Sequence, residues 1–326
     1  EASPGAQYCC AGRREPMKIA FVFPGQGSQS VGMMKSFASL PGVRETFSEA
    51  SDAIGQDLWK LVEQGPAEEL NLTVNTQPVM LTAGIALYRA WRAENGARPA
   101  ISAGHSLGEY SALVAGGAIA FADAVTLMRF RAQAMQEAVP AGVGAMAAIL
   151  GLEDEVVRAA CTQASGTNEI VEAANFNSPA QVVIAGNIAA VERAMEVAKS
   201  KGAKRAVMLA MSVPSHCSLM RPAAERMRER LKTVKIGTSN VPVLHNADVS
   251  SADSADAARD ALVRQLCQPV RWVDTIRAMV AAGATHFVEC GPGRVLAALN
   301  KRIAPEMQTF SFADEPAFQE ALAALQ

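Results

Sequence analysis

Aromatic side chains make up only 5% of the 326 residues, histidine occurs four times, and the six cysteines stand scattered at 9, 10, 161, 217, 267 and 290. No C-x-x-C pair and no histidine at zinc-finger spacing accompanies those cysteines, so a metal site is not expected. A surplus of charge is missing as well. Thirty Lys and Arg against 32 Asp and Glu leave −2, without the basic excess that drives binding to nucleic acid or anionic membranes. No apolar run reaches the roughly 20 residues needed to span a bilayer, and the most apolar uncharged stretch, 138–152, is broken by Pro140, Gly142 and Gly144. Residues 1–16 have no periodicity and lack the apolar core of a signal peptide. With an apolar strand beginning directly after Met17, they read as an expression scar and Met17 as the native start. The chain is expected to be cytoplasmic, with no nucleic-acid and no membrane partner, and to work on small molecules.

What is present is apolar residue in bulk, 50% of a chain long enough for about two compact units. Lys18 to Phe23 is a buried-strand run ended by Pro24-Gly25, and helical patterns follow at 32–56 and 78–94. A weak strand at 100–103, a small-residue helix at 107–119 and another helix at 122–139 continue the alternation of an α/β domain. From Gly144 the rhythm becomes strand 145–150, helix 153–164, strands 170–175 and 181–186, helix 188–201 and strand 204–209. That is the β-α-β-β-α-β order of a ferredoxin-like module. Alternation then resumes with helix 217–233, strand 242–245, helices 256–266 and 272–282, strand 286–289 and helix 293–301. The fold class expected is α/β: an α/β-hydrolase-like parallel-sheet domain made of 17–140 and 213–326, with a ferredoxin-like small domain inserted at 141–212.

Gly104-His105-Ser106-Leu107-Gly108 fits G-x-S-x-G between a strand and a helix, the setting of a nucleophile elbow. There the Ser106 hydroxyl projects from a helix N-terminus whose free N–H groups can hold an oxyanion. A serine nucleophile needs a base. His105 is its neighbour in a sharp turn and reads as packing or orienting, which leaves His216, His245 and His286. His216 is favoured by its place in the loop before a helix, beside the domain junction, and the other two read as histidines hydrogen-bonded at the sheet. Phe23-Pro-Gly-Gln-Gly-Ser-Gln29 invites comparison with the dinucleotide fingerprint but has Ser30 where the third glycine belongs. It reads instead as a loop of backbone N–H groups facing Ser106.

Five stretches together resemble one family: Phe-Pro-Gly-Gln-Gly-Ser-Gln at 23–29, Gly-His-Ser-Leu-Gly-Glu-Tyr at 104–110, Ser-Val-Pro-Ser-His at 212–216, Gln265 ahead of Pro269-Val270, and Gly-Pro-Gly at 291–293. In order and spacing they are similar to the malonyl-CoA:acyl carrier protein transacylases of type II fatty-acid synthesis, from about Met17 to about Ile303. The resemblance implies Ser106 as acylated nucleophile, His216 as general base, and the N–H groups of Gln26 and Leu107 as oxyanion hole. It further implies a main-chain carbonyl near Gln265 in place of a triad acid, and Arg131 as partner of the malonyl carboxylate, for which a guanidinium fork is suited. Malonyl-CoA is then a substrate, no cofactor is needed, holo acyl carrier protein is the partner and a monomer is expected. Basic residues at Lys199, Lys201, Lys204 and Arg205, or at Arg294, Lys301 and Arg302, could receive an acidic carrier or could be ordinary solvated faces. The competing reading is a serine esterase or thioesterase using Ser106, Asp248 and His286, in the order of α/β-hydrolases. A carrier-binding scaffold with a dead site is the non-enzymatic alternative.

Overall fold

The computed structural model describes residues 17–211 and 213–326. The N-terminal stretch expected to be a scar, and Ser212 at the expected domain boundary, lie outside the described residues. Among the described residues nine strands form two sheets: β1 Ile19–Phe23, β2 Ile101–Gly104, β3 Gly144–Leu150, β4 Val171–Ser178, β5 Gln181–Asn187, β6 Arg205–Met208, β7 Val243–Leu244, β8 His286–Glu289 and β9 Gln308–Ser311.

The first sheet runs β7-β2-β1-β8-β9 and its pairings are all parallel. Every residue of β1 is buried, as in a strand covered on both faces. Alternation decides which face each side chain supplies. Ile19, Phe21 and Phe23 join the larger core under the helices Thr73–Ala93 and Phe121–Ala138. Ala20 and Val22 point the other way, toward Trp272, Ile276 and Leu299.

The second sheet, β4-β5-β3-β6, is antiparallel throughout, and in the chain its strands and helices follow the β-α-β-β-α-β order. One face carries Ala147, Ile149, Val182 and Ile184 against Val157, Val191 and Ala194 of its two helices. The other face packs Met146, Ala174, Val183 and Ala185 around Cys217, next to His216. Strand β4 is also tied to the segment after Gln265: the Phe176 N–H donates to Val270 O and the Val270 N–H to Ala174 O, both at 2.9 Å. The second sheet thus meets the first at the C-terminal ends of β1 and β2, where open α/β sheets hold their ligands.

Several elements differ from the sequence reading, and the short helices Leu58–Gln64 and Ala67–Asn71 were not expected. The pattern at 32–56 is a short 3-10 turn and then a helix over Val43–Ile54. The separation falls at Pro41-Gly42, with Gly42 in the left-handed region. The helix expected from 78 begins at Thr73, with Pro78 in its second turn. Last, β9 and the helix Glu315–Ala324 extend the fold beyond the elements expected. Among the described residues no helix is long and apolar enough to cross a membrane.

Candidate active site

The turn after β2 brings strand and helix to backbone contact, and glycine permits it. A Cβ on Gly104 would lie 1.8 Å from the Gly108 carbonyl carbon, and one on Gly108 would lie 2.2 Å from Phe23 O. Between them Ser106 takes a φ of +52°, left-handed backbone that costs a serine on the order of 1–3 kcal/mol and must be held by its surroundings. Asn246 supplies that hold: its Oδ1 accepts from the Ser106 N–H at 2.7 Å and its Nδ2 donates to Gly104 O at 2.6 Å.

His216 also has a positive φ, +63°, and is 2% exposed. Its Nε2 lies 2.8 Å from Ser106 Oγ and its Nδ1 lies 2.8 Å from the main-chain oxygen of Gln265. A carbonyl oxygen only accepts, so Nδ1 carries the proton and Nε2 offers its lone pair to the Ser106 hydroxyl. Burial, and then the nearby Arg131 charge, push the His216 imidazole down to about 3. It is therefore neutral at physiological pH and able to accept a proton.

Arg131 is wholly buried. Its Nη1 donates to Gln77 Oε1 at 2.8 Å, its Nη2 to Gln265 Oε1 at 2.9 Å, and Nη2 also lies 3.4 Å from Ser106 Oγ. Its Nε has no partner among the described residues, and no carboxylate forms an ion pair with it there. A buried cation facing neutral acceptors beside a nucleophile is arranged to receive an anion from outside. Burial lowers the Arg131 guanidinium from its ordinary range, opposed by Tyr110 and Glu109.

Gln26 and Leu107 border the same cleft as Ser106, His216 and Gln77. Neither backbone N–H donates to another group among the described residues, as oxyanion donors should not. The cleft has Met146, Asn175 and Val183 of the second sheet on its far side.

The remaining histidines have other partners, although His105 also borders the cleft. His105 turns its Nε2 to Asn177 Oδ1 at 2.8 Å and its ring to Trp272. His245 holds Glu109 at 2.6 Å. His286 pairs in register with Ile19 while Gly104 pairs with Phe23, so it lies at the opposite end of the sheet from Ser106. Four strand steps, roughly 13 Å, keep it from the hydroxyl, and its Nδ1 contacts Thr285 Oγ1. Asp248 is paired with Arg264 at 2.6 Å. The structure brings Ser106, His216, Gln265, Arg131, Gln26 and Leu107 together and leaves Asp248 and His286 out.

Gln77, Glu109 and Asn246 were missed by sequence reasoning. Glu109 carried a signal, a carboxylate in a helix of mainly small and apolar residues, whereas Gln77 lies in a polar stretch ahead of the helix expected from 78. Asn246 follows a two-residue strand and carried none. Of the basic clusters, Lys199 pairs with Glu196 and Arg294 with Asp314, all at the surface.

A serine poised on a neutral histidine, with free N–H donors and a buried cation around it, defines a protein of the acyl-transfer class. The acyl transferase domain family matches residues 20–313. The malonyl CoA-acyl carrier protein transacylase of Escherichia coli K12 is 54% identical over 305 residues, 93% of this chain and 98% of the relative. That of Bacillus subtilis is 43% identical over 309 residues, 94% and 97%. Among solved structures, the acyl-carrier-protein S-malonyltransferase of Burkholderia pseudomallei aligns with TM-score 0.92 at 59% identity over 94% of this chain and all of that one. A malonyl-transacylase in complex with its type II PKS acyl-carrier protein aligns with TM-score 0.93 at 49% identity, covering 94% and 99%. The chain belongs to the malonyl CoA-acyl carrier protein transacylase family and is an acyltransferase.

Proposed function

We propose that this chain transfers a malonyl group from malonyl-CoA to the phosphopantetheine thiol of holo acyl carrier protein through an ester on Ser106, supplying fatty-acid elongation. The observation that carries the reading is the buried Arg131 guanidinium, 3.4 Å from the Ser106 hydroxyl and held there by two glutamines. An acyl group bearing a distal carboxylate would pair with that cation while its thioester carbonyl meets Ser106.

His216 Nε2 takes the Ser106 proton as Oγ attacks the thioester carbonyl. The negative charge on the carbonyl oxygen is met by the N–H groups of Gln26 and Leu107. When the carbon–sulfur bond breaks, the His216 proton passes to the departing CoA thiolate and the malonyl ester remains on Ser106. In the second half-reaction His216 takes the proton of the phosphopantetheine thiol, the sulfur attacks the ester, and Ser106 leaves with that proton. Ping-pong kinetics follow. The Gln265 carbonyl orients and stabilises the imidazolium that forms in each half. A carbonyl carries no formal charge, and burial, followed by the Arg131 charge, keeps the His216 imidazole depressed and neutral until it takes the proton.

The finer architecture belongs to the same reading: an α/β-hydrolase-like domain from 17–140 and 213–326, a ferredoxin-like domain over 141–212 that closes the cleft, a cytoplasmic monomer, and no cofactor. The test is to mix the purified protein with radiolabelled malonyl-CoA, with and without holo carrier protein. Label passing to the carrier supports the reading. Release as free malonate at the same rate with or without carrier refutes it.

A further inference from the structure

Beneath the nucleophile lies a buried acid with no part in the chemistry above. Glu109, on the helix Gly108–Ala115, is fully buried and has three partners. Its Oε1 contacts His245 Nδ1 at 2.6 Å, and its Oε2 accepts from the Asn246 N–H at 2.9 Å and from Gln265 Nε2 at 2.8 Å. His245 is depressed by burial, but the Glu109 carboxylate beside it outweighs that and raises it.

The directions of these bonds are set by chemistry. A backbone N–H only donates, so Oε2 is an acceptor, and Gln265 must turn its NH2 group toward it. The same NH2 group donates to Ser106 O at 2.9 Å. The amide oxygen of Gln265 is then left to face the other way, where Arg131 Nη2, which also only donates, meets it at 2.9 Å. Were the amide reversed, two donors would face each other at Arg131 and two acceptors at Glu109. Glu109 also grips the Asn246 N–H, and Asn246 in turn holds the backbone of Ser106.

We infer that Glu109 is a positioning residue for acyl-group selection: its carboxylate fixes the polarity of the Gln265 side chain, and Gln265 thereby holds the Arg131 guanidinium over the nucleophile. This rests on the malonyl-transfer reading above. Glu109 touches no substrate and acts through Gln265. The main-chain oxygen of Gln265 serves His216 independently, so loss of the relay should disturb selection of the acyl group more than proton transfer.

The test compares kcat/KM for malonyl-CoA and acetyl-CoA in the intact protein and in Glu109→Leu, Glu109→Gln and Gln265→Leu. A glutamine at 109 can still present an oxygen to Gln265 and Asn246 and its NH2 group to a neutral His245. The malonyl-to-acetyl ratio should fall at least 10-fold in Glu109→Leu and in Gln265→Leu, and should return to within about threefold of the original in Glu109→Gln, whatever the absolute rates. The double variant Glu109→Leu with Gln265→Leu should lose no more selectivity than either single one, since residues acting in one chain are not additive. A ratio left unchanged by Gln265→Leu overturns the inference even if Glu109→Leu does not fold. So does a parallel fall of both substrates in Glu109→Leu, or full additivity in the double variant. Failure of the underlying reading looks different: the unaltered protein would then show no preference for malonyl-CoA, and Arg131→Ala would leave the ratio where it was.

Discussion

Replacing Arg131 by alanine removes the buried cation while leaving Ser106, His216 and the main-chain oxygen of Gln265 in place. In the intact protein the guanidinium is wholly buried and donates to Gln77 and Gln265. A malonyl carboxylate entering the variant would lose its water and find no partner. Breaking a buried ion pair from one side costs about 3–5 kcal/mol, and each 1.4 kcal/mol is about tenfold in rate. The expected loss in kcat/KM for malonyl-CoA is therefore about two to four orders of magnitude. Acetyl-CoA has no carboxylate to strand, and its kcat/KM should stay level or rise. Two amide oxygens lose a donor in the variant, which costs about 1–3 kcal/mol each in stability. Melting must be measured first, and both rates taken well below Tm. Arg131→Lys should fall between, because an ammonium keeps the charge but not the fork. An equal fall for malonyl-CoA and acetyl-CoA would refute the reasoning and make Arg131 a support of the fold.

Other predictions follow from the same geometry. His216→Ala should slow acyl-enzyme formation by at least the ~10²-fold typical of a lost general base, while His286→Ala, at the far end of the sheet, should leave it largely intact; stopped-flow release of CoA reads both. The acid limb depends on His216, which must be neutral to act and is pushed down to about 3. kcat/KM should therefore stay flat from pH 8 to pH 5, and half-loss near pH 6.5 would contradict the assigned environment. Because Arg131 contributes to that depression, a bound carboxylate that neutralises Arg131 should move the limb of kcat to higher pH than that of kcat/KM. Gly104→Ala would press a methyl group into the backbone of Gly108 at 1.8 Å, so the variant should unfold at a markedly lower temperature by circular dichroism, or fail to accumulate as folded protein.

How far the chain could be read in advance depended on whether a feature is local. The strands β1 and β8 and the four strands of the antiparallel sheet were legible because their apolar runs are bounded by glycine, proline or helical patterns. The elbow was legible because G-x-S-x-G is a contiguous string between a strand and a helix; Gly104 is required by the nearby backbone of Gly108 and Glu109, whereas Gly108 is required by Phe23 on β1. Strand β9 was not, since Gln308–Ser311 is short, partly exposed and recognisable chiefly by its pairing with β8. The helix at Thr73 was started late because Pro78 reads as a first-turn residue. Within the site, Arg131 carried no mark of burial in its own helix. Its surroundings come from Gln77 and Gln265, 54 and 134 residues away. Asn246 reaches Ser106 across 140 residues, and only the folded sheet brings them together.

The central claim is that Ser106 carries the acyl group between two thiols, and locating that group tests it most directly. Protein mixed with malonyl-CoA should be quenched in acid, digested and mapped by mass, with a second sample chased with holo carrier protein before quenching. The account predicts a malonyl ester on the peptide containing Ser106, discharged to the carrier in the chase and absent from Ser106→Ala. A malonyl group found on another residue, or persisting on Ser106→Ala with transfer intact, would contradict it.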